Sequence, residues 1–238
     1  MFNIPNSITL LNAFCGCLAL ISLVTGQQEW LPFFIICSLI ADFADGLFAR
    51  LLKANSEIGK ELDSLADVIS FGLVPGAIFY TLINRSSGID YLHFDDSSTW
   101  IGSIGFVLTL FSALRLAKFN TDQRQTEDFI GLNTPACTIF SLGLLLTIEN
   151  NSFGLSSWLL TLPVLFSILC VLSFLLVAEI PIFSLKFKTI GWKGNETRIL
   201  LIVLSILAIS ILPVGLALMG IIKIYILLSI VSLILKKK

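Results

Sequence analysis

Four aspartates lie in two closely spaced pairs within a chain that is otherwise strongly apolar. Asp42 and Asp45 are three residues apart in ADFADGLFAR, and Asp63 and Asp67 are four residues apart in ELDSLADVIS. Spacings of three and four residues put both members of each pair on one face of a helix. The short segment 53–59 between the two predicted helices makes those helices antiparallel neighbours. We therefore expect all four carboxylates to converge.

Carboxylates gathered in a low-dielectric site need positive charge nearby, because desolvation and mutual repulsion otherwise favour their protonated forms. On these two predicted helices Arg50 is the cation nearest that depth, and it lies a full turn or more closer to the membrane surface. Oxygen ligands suit magnesium, manganese or calcium, and four carboxylates suffice for two ions about 3.5–4 Å apart. Such pairs commonly bind phosphates, and Gly46 and Gly59 leave backbone open to a bulky anion. The alternative is an ion pathway, as in a cation-coupled transporter.

The composition indicates an integral membrane protein. The 238 residues are 56% hydrophobic and 13% charged, with a mean hydropathy of +0.94, whereas about a quarter of the residues in a soluble domain are charged. The near balance of 15 basic and 16 acidic residues argues against a nucleic-acid partner. All five cysteines lie in apolar runs, which favours buried thiols over a disulfide framework or a zinc site.

Apolar runs that end at polar, glycine or proline clusters predict an all-α bundle of eight transmembrane helices in one membrane domain, residues 1–238. The predicted helices cover residues 8–25, 30–52, 60–84, 99–118, 134–149, 156–179, 199–214 and 219–235. Only Pro213, Gly215 and Gly220 mark a turn between the last two helices, and each of these helices is short for a membrane span.

The distribution of Lys and Arg predicts the orientation of these helices. Thirteen of the 15 basic residues fall on one side of the predicted topology, and only Arg85 and Lys223 fall on the other. Short cytoplasmic loops carry the excess of basic residues in membrane proteins. We therefore expect both termini, and the ends of the helices that carry the four aspartates, at the cytoplasmic face of the cytoplasmic membrane. The sequence leaves a homodimer open.

The spacing of the polar and small residues around the aspartates resembles the signature of the CDP-alcohol phosphatidyltransferase family. In this chain the pattern reads D-x2-D-G-x2-A-R-x8-G-x3-D-x3-D. It is formed by Asp42, Asp45, Gly46, Ala49, Arg50, Gly59, Asp63 and Asp67. The resemblance implies a reaction in which a CDP-linked lipid donates its phosphatidyl group to an alcohol, with release of CMP and the help of two divalent metals.

The resemblance also assigns roles to individual residues. Asp42, Asp45 and Asp63 are expected to hold the metal ions and the diphosphate. Asp67 is expected to complete the metal site and to act as the general base. The remaining expected contacts to the nucleotide and the CDP-lipid come from Gly46, Ala49, Arg50 and Gly59 of the signature, and from Asn6 and Thr9 on the first helix. Asn12 continues the three-residue spacing of Asn6 and Thr9, and these polar residues could either face the nucleotide or pack against other helices.

Three further stretches resemble segments of bacterial, membrane-embedded phosphatidylserine synthases. They are IPNSITLLNAFCG (4–16), LRLAKFN (114–120) and FIGLNTPA (129–136). They extend the expected catalytic region to residues 4–136 and leave residues 150–238 as additional transmembrane helices. Lys118 stands where arginine is usual and Asn133 where proline is usual.

The resemblance predicts CDP-diacylglycerol and L-serine as substrates in a membrane of lipid. A serine carboxylate needs a cation, and Arg115 and Lys118 lie one turn apart on the fourth helix. The same two cations would also suit a glycerol phosphate or an inositol phosphate. A phosphatidylglycerophosphate or inositol-type synthase of the same family is therefore the alternative.

Overall fold

The computed structural model describes residues 3–54, 56–88, 99–122, 129–185, 191 and 194–236. Five of its helices are long and apolar enough to cross a membrane: Ile4–Val24, Gln28–Leu51, Glu57–Ser86, Trp100–Thr121 and Val214–Ile234. Two shorter apolar helices are Thr134–Glu149 and Leu162–Val177. Within the described residues the only strands are two of two residues each. The expected all-α, multi-pass membrane architecture is therefore confirmed.

Part of the charge distribution lies outside the described residues. Six of the thirteen basic residues assigned to the cytoplasmic side are affected: Arg124, Lys186, Lys188, Lys193, Lys237 and Lys238. The orientation of the helices therefore stays a prediction from the sequence.

The chain divides after Ala117 into two compact units. Within its described residues the first contains six α-helices: α1 (Ile4–Val24), α2 (Leu31–Leu51), α3 (Glu57–Asp67), α4 (Val74–Ser86), α5 (Thr99–Gly102) and most of α6 (Val107–Thr121). A 3-10 turn, Gln28–Trp30, precedes α2, and another, Ser103–Phe106, precedes α6. Helix α1 packs against α2 and α3, so it forms the centre of the part of this unit that carries the aspartates.

Helices α1 and α3 both begin earlier than the apolar pattern predicts, because polar caps extend them. Asn3 accepts a hydrogen bond from the backbone N–H of Asn6 at 2.9 Å, and Pro5 occupies the first turn, where its missing N–H costs nothing. Ser56 accepts from the backbone N–H of Gly59 at 3.0 Å. Both caps lie in polar sequence, outside the apolar runs from which the boundaries were predicted.

A π-helical segment, Val68–Leu73, begins immediately after Asp67. It joins α3 to α4, so that the three form one continuous helix. Single π-turns inside α-helices are rare and occur frequently at functional sites. Two hydrogen bonds to neighbouring helices hold this segment. Thr109 donates to the carbonyl of Gly72 at 2.9 Å, and Ser70 donates to the carbonyl of Asn12 at 3.0 Å. The segment is thus tied to both α6 and α1.

The second unit contains the remaining elements, β1 (Phe129–Ile130), α7 (Thr134–Glu149), α8 (Ser156–Leu159), α9 (Leu162–Val177), β2 (Pro181–Ile182), α10 (Glu196–Ile211) and α11 (Val214–Lys236), with a 3-10 turn at Ser152–Gly154. Strands β1 and β2 pair antiparallel. Asn133 caps α7, since its Oδ1 accepts a hydrogen bond from the backbone N–H of Ala136 at 3.0 Å. This cap explains why asparagine is suitable at a position where proline was expected.

Helix boundaries in the second unit differ from the prediction at two places. The helix predicted over 156–179 is divided into α8 and α9, because Thr161 is extended and Pro163 fits only the first turn of the following helix. The break between α10 and α11 is confined to Leu212 and Pro213, since a residue before proline avoids the helical conformation. Both glycines of the predicted turn lie inside α11.

Candidate active site

Three polar residues of α1, Asn6, Thr9 and Asn12, face the interior of the first unit. Asn6, Thr9 and Asn12 are only 5%, 3% and 0% exposed, whereas most of the apolar side chains between them are exposed to the surroundings. A helix that buries its polar stripe and exposes its apolar residues is typical of a membrane protein whose polar site lies between helices. The stripe on α1 therefore belongs to the same polar interior as the aspartates.

Three of the four aspartates form a cluster. Asp42 of α2 and Asp63 and Asp67 of α3 each present a carboxylate oxygen, and these oxygens lie within 4.8 Å of one another. Asp67 is the most deeply buried of the three, at 9% exposed. Oxygen atoms this close together are the ligand set that magnesium, manganese and calcium prefer, so the donor chemistry of the cluster fits a divalent metal.

Asp45 is oriented differently from the other three aspartates. It is 5% exposed, and its Oδ2 accepts a hydrogen bond from Thr9 Oγ1 at 2.6 Å. Asp45 still lies close enough to Asp42 and Asp63 to interact with both electrostatically. Four carboxyl groups therefore lie in one small region, and the carboxyl group of Asp45 is held towards α1 by Thr9.

A cavity of about 560 Å³ opens beside these carboxylates. It lies between the start of α1, the end of α2 and the start of α3. Its lining includes Pro5, Asn6, Thr9, Asp45, Gly46, Ala49, Gly59, Lys60 and Asp63. Five signature positions and both predicted nucleotide-binding residues of α1 are thus at the cavity wall. Lys60 also lines this cavity, although its position in the sequence did not distinguish it from the other basic residues near the helix ends.

The two signature glycines have different environments. A Cβ atom at Gly46 would meet nothing within 4 Å, so this part of α2 faces open space. A Cβ atom at Gly59 would lie 3.1 Å from Asn6 Oδ1 and 3.1 Å from Ser56 Oγ, which is tight. Gly46 therefore leaves room at the cavity, whereas Gly59 lets α3 approach α1. Arg50 is exposed, and its Nε donates to the carbonyl of Gly46 at 2.9 Å.

The two predicted serine-binding cations also differ from each other. Arg115 of α6 is only 7% exposed, and its guanidinium interacts electrostatically with the carboxylate of Asp67. Lys118 is half-buried, and its Nζ lies 3.1 Å from Glu179 Oε1. The structure thus brings Arg115 to the buried end of the aspartate cluster and gives Lys118 an acidic partner.

Two further residues, Asn12 and Ser38, contact this site. Asn12 Nδ2 donates to Asp67 Oδ1 at 3.4 Å, and Ser38 Oγ of α2 donates to Asn12 Oδ1 at 2.5 Å. The recurrence of polar residues on α1 pointed to Asn12 without deciding between nucleotide contact and helix packing. Ser38 carried no signal, because one serine in an apolar helix is an ordinary feature of membrane proteins.

Comparison with known proteins agrees with the signature. Three relatives named CDP-diacylglycerol--serine O-phosphatidyltransferase illustrate the similarity. The Bacillus subtilis protein is 34% identical over 179 residues, which is 74% of this chain and 88% of the relative. A Helicobacter pylori protein is 29% identical over 228 residues, 94% of this chain and 90% of the relative. A Mycobacterium tuberculosis protein is 30% identical over 218 residues, which is 86% of this chain and 68% of the relative.

The family model for CDP-alcohol phosphatidyltransferases matches residues 2–169, which include all of the first unit except Met1 and all eight signature positions. That match covers well over half of the chain and contains the carboxylate cluster, the cavity and Arg115. The chain therefore belongs to the CDP-alcohol phosphatidyltransferase family.

Proposed function

We propose that this protein transfers the phosphatidyl group of CDP-diacylglycerol to the hydroxyl of L-serine and so produces phosphatidylserine and CMP. The observation that carries the proposal is the cluster of Asp42, Asp63 and Asp67 beside a cavity large enough for a nucleotide. The choice of serine is supported by the relatives named CDP-diacylglycerol--serine O-phosphatidyltransferase, which match most of the chain. Such a protein is a transferase of phospholipid biosynthesis.

In the proposed mechanism the protein first binds and orients the two substrates. The CDP group enters the cavity beside Gly46, where the backbone is open, while the acyl chains stay in the lipid. Asn6, Ala49, Gly59 and Arg50 contribute to the same nucleotide and CDP-lipid site. Thr9 holds Asp45 through its hydroxyl, which fixes one wall of that site.

Asp42, Asp45, Asp63 and Asp67 are the residues that would hold the metal ions, and we propose two magnesium or manganese ions, with calcium as a further candidate. When bound, divalent metal would neutralise the carboxylates and polarise the diphosphate of the substrate. Holding the phosphates and the attacking hydroxyl in line is the main catalytic task in phosphoryl transfer, and these side chains would perform it.

Asp67 would act as the general base. Its carboxylate takes the proton of the serine hydroxyl while the serine oxygen forms a bond to the lipid-linked phosphorus, and the bond from that phosphorus to the CMP oxygen breaks. Arg115, which lies near Asp67, would bind the serine carboxylate. Lys118 belongs to the same proposed serine site, and its bond to Glu179 would have to open for that contact.

We further propose eight membrane spans with both termini cytoplasmic, and an active site that faces the cytoplasm from the cytoplasmic membrane. The proposal is supported by the excess of basic residues on one side of the predicted topology. A homodimer is compatible with this arrangement. The CDP headgroup of the lipid and L-serine are both polar, so an opening at the membrane surface would let both reach the site from the water side.

The decisive experiment is an acceptor comparison. Purified protein in detergent is incubated with CDP-diacylglycerol, magnesium or manganese, and in separate reactions L-serine, glycerol 3-phosphate or inositol, and the release of CMP is measured. We expect CMP release with serine and its loss with a chelator. Release with glycerol 3-phosphate or inositol but not with serine would give the protein a different acceptor. No release with any acceptor would favour a transport function.

A further inference from the structure

The side chain of Asn12 lies between α1, α2 and α3 and connects residues of all three. It is 0% exposed. Its Nδ2 donates to Asp67 Oδ1 at 3.4 Å, and its Oδ1 accepts from Ser38 Oγ at 2.5 Å. Ser38 is 1% exposed. Both ends of the amide are therefore engaged, one by the carboxylate cluster and the other by α2.

The hydroxyl of Ser38 determines which end of the Asn12 amide faces Asp67. An asparagine amide has one donor end and one acceptor end. A hydroxyl donor on one side keeps the carbonyl oxygen there, so the NH₂ group must point to the carboxylate. If the amide turned over, its oxygen would face the oxygen of Asp67, and two acceptors would be buried together without a proton between them, which is costly.

The backbone of α1 at Asn12 is fixed as well. Ser70 Oγ, in the π-segment that follows Asp67, donates to the Asn12 carbonyl at 3.0 Å. The two segments approach so closely at Gly16 that a Cβ there would lie 2.9 Å from Ser70 Cα. The Asn12 amide and the carboxylate of Asp67 are therefore held by the same pair of segments, and this fixes the distance between them.

We propose that Ser38 and Asn12 form a positioning relay for Asp67. Ser38 fixes the Asn12 amide, the amide holds Oδ1 of Asp67, and the other carboxylate oxygen is thereby directed to the cluster with Asp42 and Asp63. Neither residue touches substrate in this proposal, so both act through Asp67. The proposal rests on the proposed function only for the role of Asp67 in turnover; the relay itself is a property of the carboxylate cluster.

A double-mutant cycle tests the relay. Replacing a residue that orients a metal-binding side chain typically costs 10–100-fold in metal affinity or activity. We expect Ser38→Ala and Asn12→Ala each to lower kcat, and the affinity for Mn²⁺ without substrate, by about that factor. Because Ser38 acts only through Asn12, adding Ser38→Ala to Asn12→Ala should change neither value by more than about twofold, whereas independent changes multiply. Mn²⁺ binding is measured by electron paramagnetic resonance.

Two further variants separate orientation from packing. Ser22→Ala removes a buried hydroxyl of α1 that bonds only within its own helix, to the Ala19 carbonyl at 2.7 Å, and it should leave kcat and Mn²⁺ affinity unchanged. Ser38→Cys fills the same space with a weak donor, so it should lose nearly as much as Ser38→Ala. If Ser38→Ala does not fold, as judged by thermal unfolding, Ser38→Cys takes its place in the cycle.

The outcomes distinguish the relay from the proposed function. Multiplicative losses in the double mutant, a Ser38→Ala protein that behaves like Ser22→Ala, or a Ser38→Cys protein with full activity would each overturn the relay. A non-multiplicative effect on Mn²⁺ affinity in a protein that releases no CMP with serine would support the relay and refute the proposed function.

Discussion

Asp63 and Asp67 are chemically identical side chains one turn apart, yet we expect their replacement by asparagine to have different effects on turnover and on metal binding. Asp67→Asn keeps a carbonyl oxygen for metal but cannot accept the serine proton. Turnover should fall by about 10²–10⁴ while CDP-diacylglycerol still binds. Asp63→Asn should weaken metal binding first, and excess metal should restore part of the rate. The measurement is a magnesium titration of CMP release in both variants.

The comparison has a clear contrary result. If Asp67→Asn recovers nearly normal turnover at high magnesium, Asp67 is a ligand only, and another group accepts the proton. Direct measurement of CDP-diacylglycerol binding to both variants is the control, because it shows whether the substrate site is still intact.

Arg115 offers a second prediction at the scale of single residues. Removal of a charge-assisted contact costs about 1.5–3 kcal/mol, which corresponds to roughly 10–100-fold in binding. Arg115→Ala should therefore raise the KM for serine by about that factor, and much more than the KM for CDP-diacylglycerol. Arg85→Ala, a change of the same kind in the last turn of α4, serves as the control. Equal losses for both substrates would place Arg115 on the nucleotide side.

The four aspartates could be recognised from the sequence because helix periodicity puts each pair on one face, but the orientation of Asp45 towards Thr9 did not follow from that spacing. Ser38 could not be recognised, since its function depends on the rotation of α2 relative to α1, and an apolar helix in lipid gives no amphipathic pattern from which to read that rotation. Asn12 lies between these cases. Its face on α1 followed from its spacing to Thr9, but its partner did not.

At the scale of helices, two glycines provide a matched pair of changes. A Cβ at Gly16 would lie 2.5 Å from Ser70 Oγ and 2.9 Å from Ser70 Cα, so α1 and the π-segment must separate. Overpacking of this kind costs about 1–3 kcal/mol, against a gain of up to about 1 kcal/mol in helix propensity. We expect Gly16→Ala to lower the Tm. Gly46→Ala meets no neighbour and should keep the Tm.

The same pair separates stability from binding. Gly46→Ala narrows the space beside the cavity, so it should raise the KM for CDP-diacylglycerol in a fully folded protein. A lowered Tm for Gly46→Ala, or an unchanged Tm for Gly16→Ala, would mean that the helices pack differently from the arrangement described here. Thermal unfolding in detergent and CMP-release kinetics provide both measurements.

Helix positions were predictable because the membrane requires long apolar segments, while helix ends required information that hydropathy does not contain. Asn3 and Ser56 extend their helices into polar sequence by capping. The π-segment was not predicted, because Val68–Leu73 is as suitable for an ordinary α-turn as for a wider one. Its geometry depends on bonds from Thr109 and Ser70 to distant carbonyls, and these follow from tertiary packing.

For the whole molecule, the charge distribution makes a prediction about orientation. A reporter fused after Lys238 should report a cytoplasmic location. Asp95→Cys should react with a membrane-impermeant thiol reagent from outside intact cells, in a background that lacks the five native cysteines. A matched Glu57→Cys, at the start of α3, should react only after the membrane is opened. Reversed labelling of the two positions would overturn the orientation.

The π-segment has a consequence for how related sequences can vary. It fits one extra residue into a turn, and the wider turn accommodates that residue by rotating less per residue than an α-helix does. Deletion of Ile69 would therefore allow an uninterrupted α-helix in which Asp63 and Asp67 keep nearly their present direction relative to α4. A deletion between Asp63 and Asp67 would instead change the angle between these two side chains by about 100°. A one-codon gap within Val68–Leu73 in a homologous gene is thus compatible with an intact carboxylate cluster, whereas a one-codon gap between the two aspartates would mark a gene that has lost it.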